Sequence, residues 1–182
     1  MFKQILALAG LTLSFSAKAA TLVVIGGQLT GATDVEVDGA YYDVQFVEGS
    51  CNSLFNNCSD FTFTTIPDAL LASQALLDQV LTGVYDDSPE LTFGMSDTVS
   101  GLIYTPRASN ADFVFFSSAI NNASGSDSVS GPGRLARMFE NSANSERVVW
   151  AEWTVSQVPI PAAAWLFGSA LLGLGVVKRK KA

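Results

Sequence analysis

The chain has 182 residues with 17 acidic and 10 basic side chains and no histidine, and six of the basic residues lie in the first 18 or the last five positions. Residues 20–157 therefore carry all 17 acids against Arg107, Arg134, Arg137 and Arg147, a net charge near −13, which excludes the basic surface that nucleic acids or anionic lipids require. Without histidine there is no His-activated serine or cysteine nucleophile and no His-ligated zinc.

At the N-terminus, Lys3, the mostly apolar stretch Ile5 to Phe15 and the small residues Ala17-Lys18-Ala19 predict a signal peptide over residues 1–19, removed by signal peptidase. An uncleaved anchor is disfavoured, because the apolar core is short and the small residues follow it directly. Residues 20–157 then form one exported acidic domain of 138 residues, a usual size for a single core.

Thr33 to Val37 and Ala40 to Val47 alternate polar and apolar residues around Asp38-Gly39, which predicts a hairpin with a two-residue turn. In that register Val35 faces Tyr42 and shares a buried face with Val37, Val44 and Phe46, while Asp34, Glu36, Tyr41 and Asp43 take the other. Asp34 then lies opposite Asp43, a like-charge pair that a cation, water or an altered register must relieve. Asp34, Glu36 and Asp43 are thus candidate ligands of a Ca²⁺ ion, with Asp86-Asp87-Ser88-Pro89-Glu90 as a second acidic cluster. Neither matches a known calcium loop, and solvated acids are the plainer reading. No other cofactor is implied.

Cys51 and Cys58 are seven residues apart, and in an exported chain they predict a disulfide stapling a local loop. A metal or redox site is the alternative, for which two cysteines without histidine make a poor ligand set. Phe61 to Thr65 reads as a strand. Pro67 and Asp68 suit the first turn of a helix over about 67–83, with Leu70, Leu77, Val80, Leu81 and Val84 at helical spacing, Gly83 at its end, and Ser73, Gln74 and Asp78 exposed.

Further candidate strands are Leu91 to Gly94, Gly101 to Thr105, Asp112 to Ala119 and Arg147 to Val155. Phe113-Val114-Phe115-Phe116 has bulk on both faces, as a strand covered on both sides would. Asn121 to Gly133 reads as an exposed loop, and Arg134 to Phe139 is a short helix or a strand. The fold class is α+β, a mainly antiparallel sheet with one clear helix, with a β-sandwich as the alternative.

Trp150 and Trp153 fall on opposite faces of the last candidate strand. Trp153 belongs with Val149, Ala151 and Val155 on the apolar face. Trp150, beside Val148, Glu152 and Thr154, is the candidate for stacking on a sugar ring, against the plainer reading that a second buried layer covers it. A glycoside hydrolase would need two paired carboxylates. Nothing in the sequence pairs two particular acids, so the expectation is a protein that is not an enzyme.

The C-terminal segment, residues 158–182, combines Val158-Pro159-Ile160-Pro161-Ala162, a 16-residue apolar run from Ala162 to Val177, and Lys178-Arg179-Lys180-Lys181. The prolines favour extended geometry and stop a helix from continuing upward. The run with its flanking residues is marginally long enough to span a bilayer, and the basic cluster would stay cytoplasmic. This order resembles the VPLPA variant of the PEP-CTERM sorting signals, with Ile160 where leucine is usual and without the acidic residue of the Val-Pro-Glu-Pro form. The resemblance covers residues 158–182 alone. It implies a Gram-negative host, an exosortase that recognises Val158 to Ala162 and processes the tail, a transient inner-membrane intermediate, and delivery to the cell surface, outer membrane or extracellular matrix. Such cargo is associated with exopolysaccharide and biofilm, which makes polysaccharide a candidate partner. An ordinary single-span anchor is the alternative.

Overall fold

The computed structural model describes residues 19–136 and 142–157. The predicted signal peptide to Lys18, residues 137–141 and the predicted sorting segment lie outside the described residues, and among the described ones no helix is long and apolar enough to cross a membrane.

The described strands β1 (Thr21–Ile25), β2 (Gln28–Val37), β3 (Ala40–Val47), β4 (Ser100–Ser109), β5 (Phe113–Asn122), β6 (Ser128–Ala136) and β7 (Val148–Val155) form one sheet. Their order is β1-β2-β3-β7-β4-β5-β6. Two antiparallel meanders, β1 to β3 and β4 to β6, are joined by the last strand, which runs antiparallel to β3 and parallel to β4. The fold is therefore sheet-rich α+β with a mixed sheet; a single sheet replaces the sandwich alternative.

The β2–β3 hairpin follows from its turn. Asp38 and Gly39 both adopt positive φ, 49° and 78°, the geometry whose twist matches the flanking strands and for which Asp-Gly is suited. Val35 pairs with Tyr42 and Val37 with Ala40, the expected register. Val35, Val37, Val44 and Phe46 are buried together.

Helix α2 (Ile66–Ala75) is capped by Thr65, whose side chain accepts from the Asp68 N–H, and has a proline in its first turn. It continues as a π-helical turn, Leu76–Val80, closed by the Leu81 N–H on the Leu76 carbonyl at 2.8 Å. The helix thus ends before Gly83, and the wider turn helps direct Leu76, Val80 and Leu81 into the core. Ala69, Ala72, Ser73 and Ala75 form the rest of the buried side. Small residues let the helix approach the sheet closely, so Ser73 is buried and Leu71 is exposed, the reverse of what leucine spacing alone predicts for Ser73.

The opposite face is covered by the disulfide loop. Helix α1 (Cys51–Leu54) begins at the Ser50 cap, and Phe55 with both cysteines packs on Trp150, Val114 and Phe116. A second short helix, α3 (Val84–Asp87), follows Gly83.

Two strand expectations and one loop expectation are corrected. Phe61 to Thr65 is not a strand: β4 and β7 pair only from Leu102–Val148 to Tyr104–Trp150, and this segment crosses where they part. Phe61 packs with the disulfide-loop cluster and Phe63 with the helix cluster, while the Thr62 hydroxyl donates to the Trp153 carbonyl. Leu91 to Gly94 forms one bridge, Thr92 to Leu29, after the turn Pro89–Leu91. Much of the expected loop Asn121 to Gly133 is strand, with β5 reaching Asn122 and β6 starting at Ser128. Arg134 belongs to β6, whereas Arg137 to Phe139 lie outside the described residues. Strand β1 was not expected at all.

Candidate functional site

Two of the three candidate calcium ligands, Asp34 and Asp43, meet beside Ser156, the residue after β7. Between Ala32–Val44 and Val35–Tyr42 the register shifts, so that Thr33 and Asp34 together face Asp43, a β-bulge. Asp34 takes φ 60°, a region a short polar residue enters more readily than most. Its N–H donates to Asp43 Oδ1 at 3.0 Å, and its own carboxylate accepts from Ser156 Oγ at 2.9 Å. The altered register relieves the like-charge pair. Glu36 is exposed, and among the described residues no group of three or more His, Cys, Asp or Glu side chains is placed to hold a metal ion.

Ser156 is held a second time, its N–H donating to the Tyr41 carbonyl at 2.9 Å. This anchored residue stands two positions before Val158. Val158, Pro159, Ile160, Pro161 and Ala162 themselves lie outside the described residues.

Cys51 and Cys58 form a disulfide, with Cα atoms 5.3 Å apart, and no described cysteine is free. The bridge closes the loop that covers Trp150. Trp150 is 1% exposed, makes edge contacts with Phe55, Tyr104 and Phe116 at centroid distances of 5.9, 5.5 and 6.3 Å, and donates from Nε1 to the Gly49 carbonyl at 3.1 Å. A ring buried on this scale has no face for a sugar, so the glycan role assigned to Trp150 is corrected: it anchors the disulfide loop. Trp153 lies in the helix-side core, opposite Trp150 as strand parity requires.

The disulfide loop leaves part of its face uncovered over β1, β2 and β3. Three adjoining grooves of about 420, 360 and 590 Å³ meet around the cross-strand pair Gln45–Glu152. Glu152 and Thr154 line the first two, Gln45, Thr30 and Ile25 the last two, and Leu54 the first and third. On this surface amide, hydroxyl and carboxylate groups lie among aliphatic side chains. No single residue in the sequence signals it, because its floor comes from four strands and its wall from the disulfide loop.

Two carboxyls are shifted in opposite directions. Asp97 is held below its ordinary value by the N–H groups of Ser100 and Val99, with Arg147 adding to the effect against some desolvation. Burial pushes Asp127 up, opposed by the Asn122 N–H and reinforced by a hydrogen bond and like charge from Asp86.

No family model, curated protein or solved structure matches the chain.

Proposed function

We propose that this chain is an exported, non-catalytic component of the cell surface or extracellular matrix, carried out by residues 1–19 and handed to an exosortase through Val158 to Ala162. The observation that carries the reading is the order of the C-terminal segment: Pro-x-Pro, apolar run and basic cluster in succession. The disulfide supports it, since such bonds persist in oxidising compartments.

On this reading the groove surface around Gln45 and Glu152 contacts neutral polysaccharide, because a domain near −13 repels anionic polymers. The partners are signal peptidase and exosortase in transit, then matrix polysaccharide; nucleic acid is not among them.

The test follows the tagged protein through cell fractions and determines its mature C-terminus by mass spectrometry, for the native chain and for a Pro159→Ala, Pro161→Ala double variant. Tail loss from the native chain alone is the expected outcome. An intact tail in the inner membrane in both would leave a plain membrane-anchored periplasmic domain binding carbohydrate or calcium.

A further inference from the structure

The three grooves that meet at Gln45 and Glu152 are lined by residues from Val23 to Pro106 and from Ala151 to Val155, and neither stretch of sequence holds a lysine or an arginine. Every charge that borders them is negative. Asp60 and Glu152 line the first, Asp43 and Glu152 the second, and Glu48 the third.

Asp43 is engaged, because its carboxylate accepts from the Asp34 N–H. Glu152 has no such partner. It stands half-buried on β7, inside the sheet, opposite Gln45 and next to the Asp43–Thr154 pair, so the one charged residue that β3 brings beside it is another carboxylate. Among the described residues no lysine or arginine pairs with it, and Arg147, the basic residue closest in sequence, is taken by Asp97 at 3.5 Å. A half-buried carboxylate beside a like charge costs stability until a cation reaches it.

We propose that Glu152 receives the ammonium group of an amino sugar, within a polymer that is N-acetylated and neutral along most of its length and carries scattered free amines. This rests on the reading that the grooves contact polysaccharide, and it names the sugar they select. The sign of the charge favours it: a domain near −13 draws cations from a distance, and an ammonium on a carboxylate makes a charge-assisted hydrogen bond. Gln45 and Thr154 offer side-chain partners to sugar hydroxyls, while Ile25 and Phe61 offer apolar surface to the ring. A basic peptide fits the same place less well. The backbone groups beneath the grooves are spent in the β2–β3 and β3–β7 ladders, so a peptide laid on this face finds no partners for its own N–H and C=O groups.

The test measures binding of the full chain, purified in detergent from expressing cells, to a glucosamine oligomer and to the same oligomer fully N-acetylated. Calorimetry is run at mildly acidic pH, where the amine carries its proton. The amine form should bind roughly tenfold more tightly, and Glu152→Gln should abolish that preference while the acetylated form keeps its affinity within about twofold. Glu152→Gln should melt no lower than the native chain, because it relieves the repulsion from Asp43. Should it melt lower, Glu152→Asp, which keeps the charge but shortens its reach, takes its place and should weaken the preference. Asp78→Asn removes the same charge from an exposed position on the helical turn of the opposite face, and it should leave the preference intact. Equal affinity for the two oligomers, indifferent to Glu152→Gln, overturns amine recognition and leaves the grooves to neutral sugar. Binding of neither oligomer overturns the proposal together with the groove reading on which it rests. An equal loss in Asp78→Asn, or a lysine peptide of the same charge that binds as tightly through Glu152, overturns it as well.

Discussion

Ser156 Oγ donates to Asp34 Oδ1 at 2.9 Å across 122 residues of sequence, tying the end of the last strand to the bulge in the second. Two acids that would repel if directly opposite are instead offset, and the Asp43 carboxylate fixes the Asp34 N–H. Ser156→Ala should cost about 1.5 kcal/mol, the low end for a hydrogen bond to a charged acceptor. Asp34→Val should cost about 2 kcal/mol or more, since it places a β-branched residue at φ 60° and removes the acceptor. Asp34→Asn should stay close to the native protein. Urea unfolding of the three variants checks the ranking.

The disulfide and Trp150 form one unit. Replacing Cys51 and Cys58 by alanine should destabilise by about 2–3 kcal/mol on the chain-entropy estimate for so short a loop. It should also loosen the loop over the indole, so Trp150 emission should shift to the red at denaturant concentrations where the sheet is intact. Trp150→Ala should cost about 3–5 kcal/mol through the cavity it leaves. A Trp150→Ala variant of native stability would contradict this anchoring role.

The features legible in sequence were those set by local chemistry. Asp38-Gly39 specified its turn and the Val35–Tyr42 register, Pro67 and Asp68 marked a helix start, and the two cysteines indicated their bridge. What escaped was set by distant partners. Phe61 and Phe63 alternate as in a strand yet serve two different cores, and β1 is recognisable only once β2 supplies its partner. Asp34 and Asp43 conflict if directly opposite; the bulge that offsets them and the Ser156 hydroxyl that holds the Asp34 carboxylate are not connected to them by any local pattern. Trp150 was placed on the correct face, but the cover over it is the disulfide loop, distant in sequence.

Gln79 closes a strand edge with a side-chain amide, making both backbone hydrogen bonds that a neighbouring strand would make to Glu36. Gln79→Ala should cost about 1 kcal/mol. Gln79→Glu should cost at least as much, because a carboxylate cannot donate to the Glu36 carbonyl. Amide hydrogen exchange offers a direct readout: the Glu36 N–H should lose protection in Gln79→Ala, while Val44 in the central ladder keeps it. Equal protection of Glu36 in both proteins would show that Gln79 does not guard the edge.

Asp97 and Asp127 make opposite predictions for pH. Asp97 is depressed, above all by the N–H groups of Ser100 and Val99, so its ionised form favours the folded state. That contribution is present above the ordinary value of 3.8 and is lost as pH falls through the lower folded value. Asp97→Asn should therefore be less stable than the native protein at pH 7, and the difference should vanish in strong acid. Asp127 is raised, first by burial and then by Asp86 against the Asn122 N–H, so ionisation disfavours the folded state. Its stabilising contribution is complete below 3.8 and disappears as pH rises through the higher folded value. Asp127→Asn keeps an acceptor for the Asn122 N–H and removes the repulsion from Asp86, so it should be more stable than the native protein at pH 7, with the gain shrinking as pH falls below the raised value. Melting temperatures of the three proteins from strong acid, about pH 2, to about pH 8 test both signs in one series.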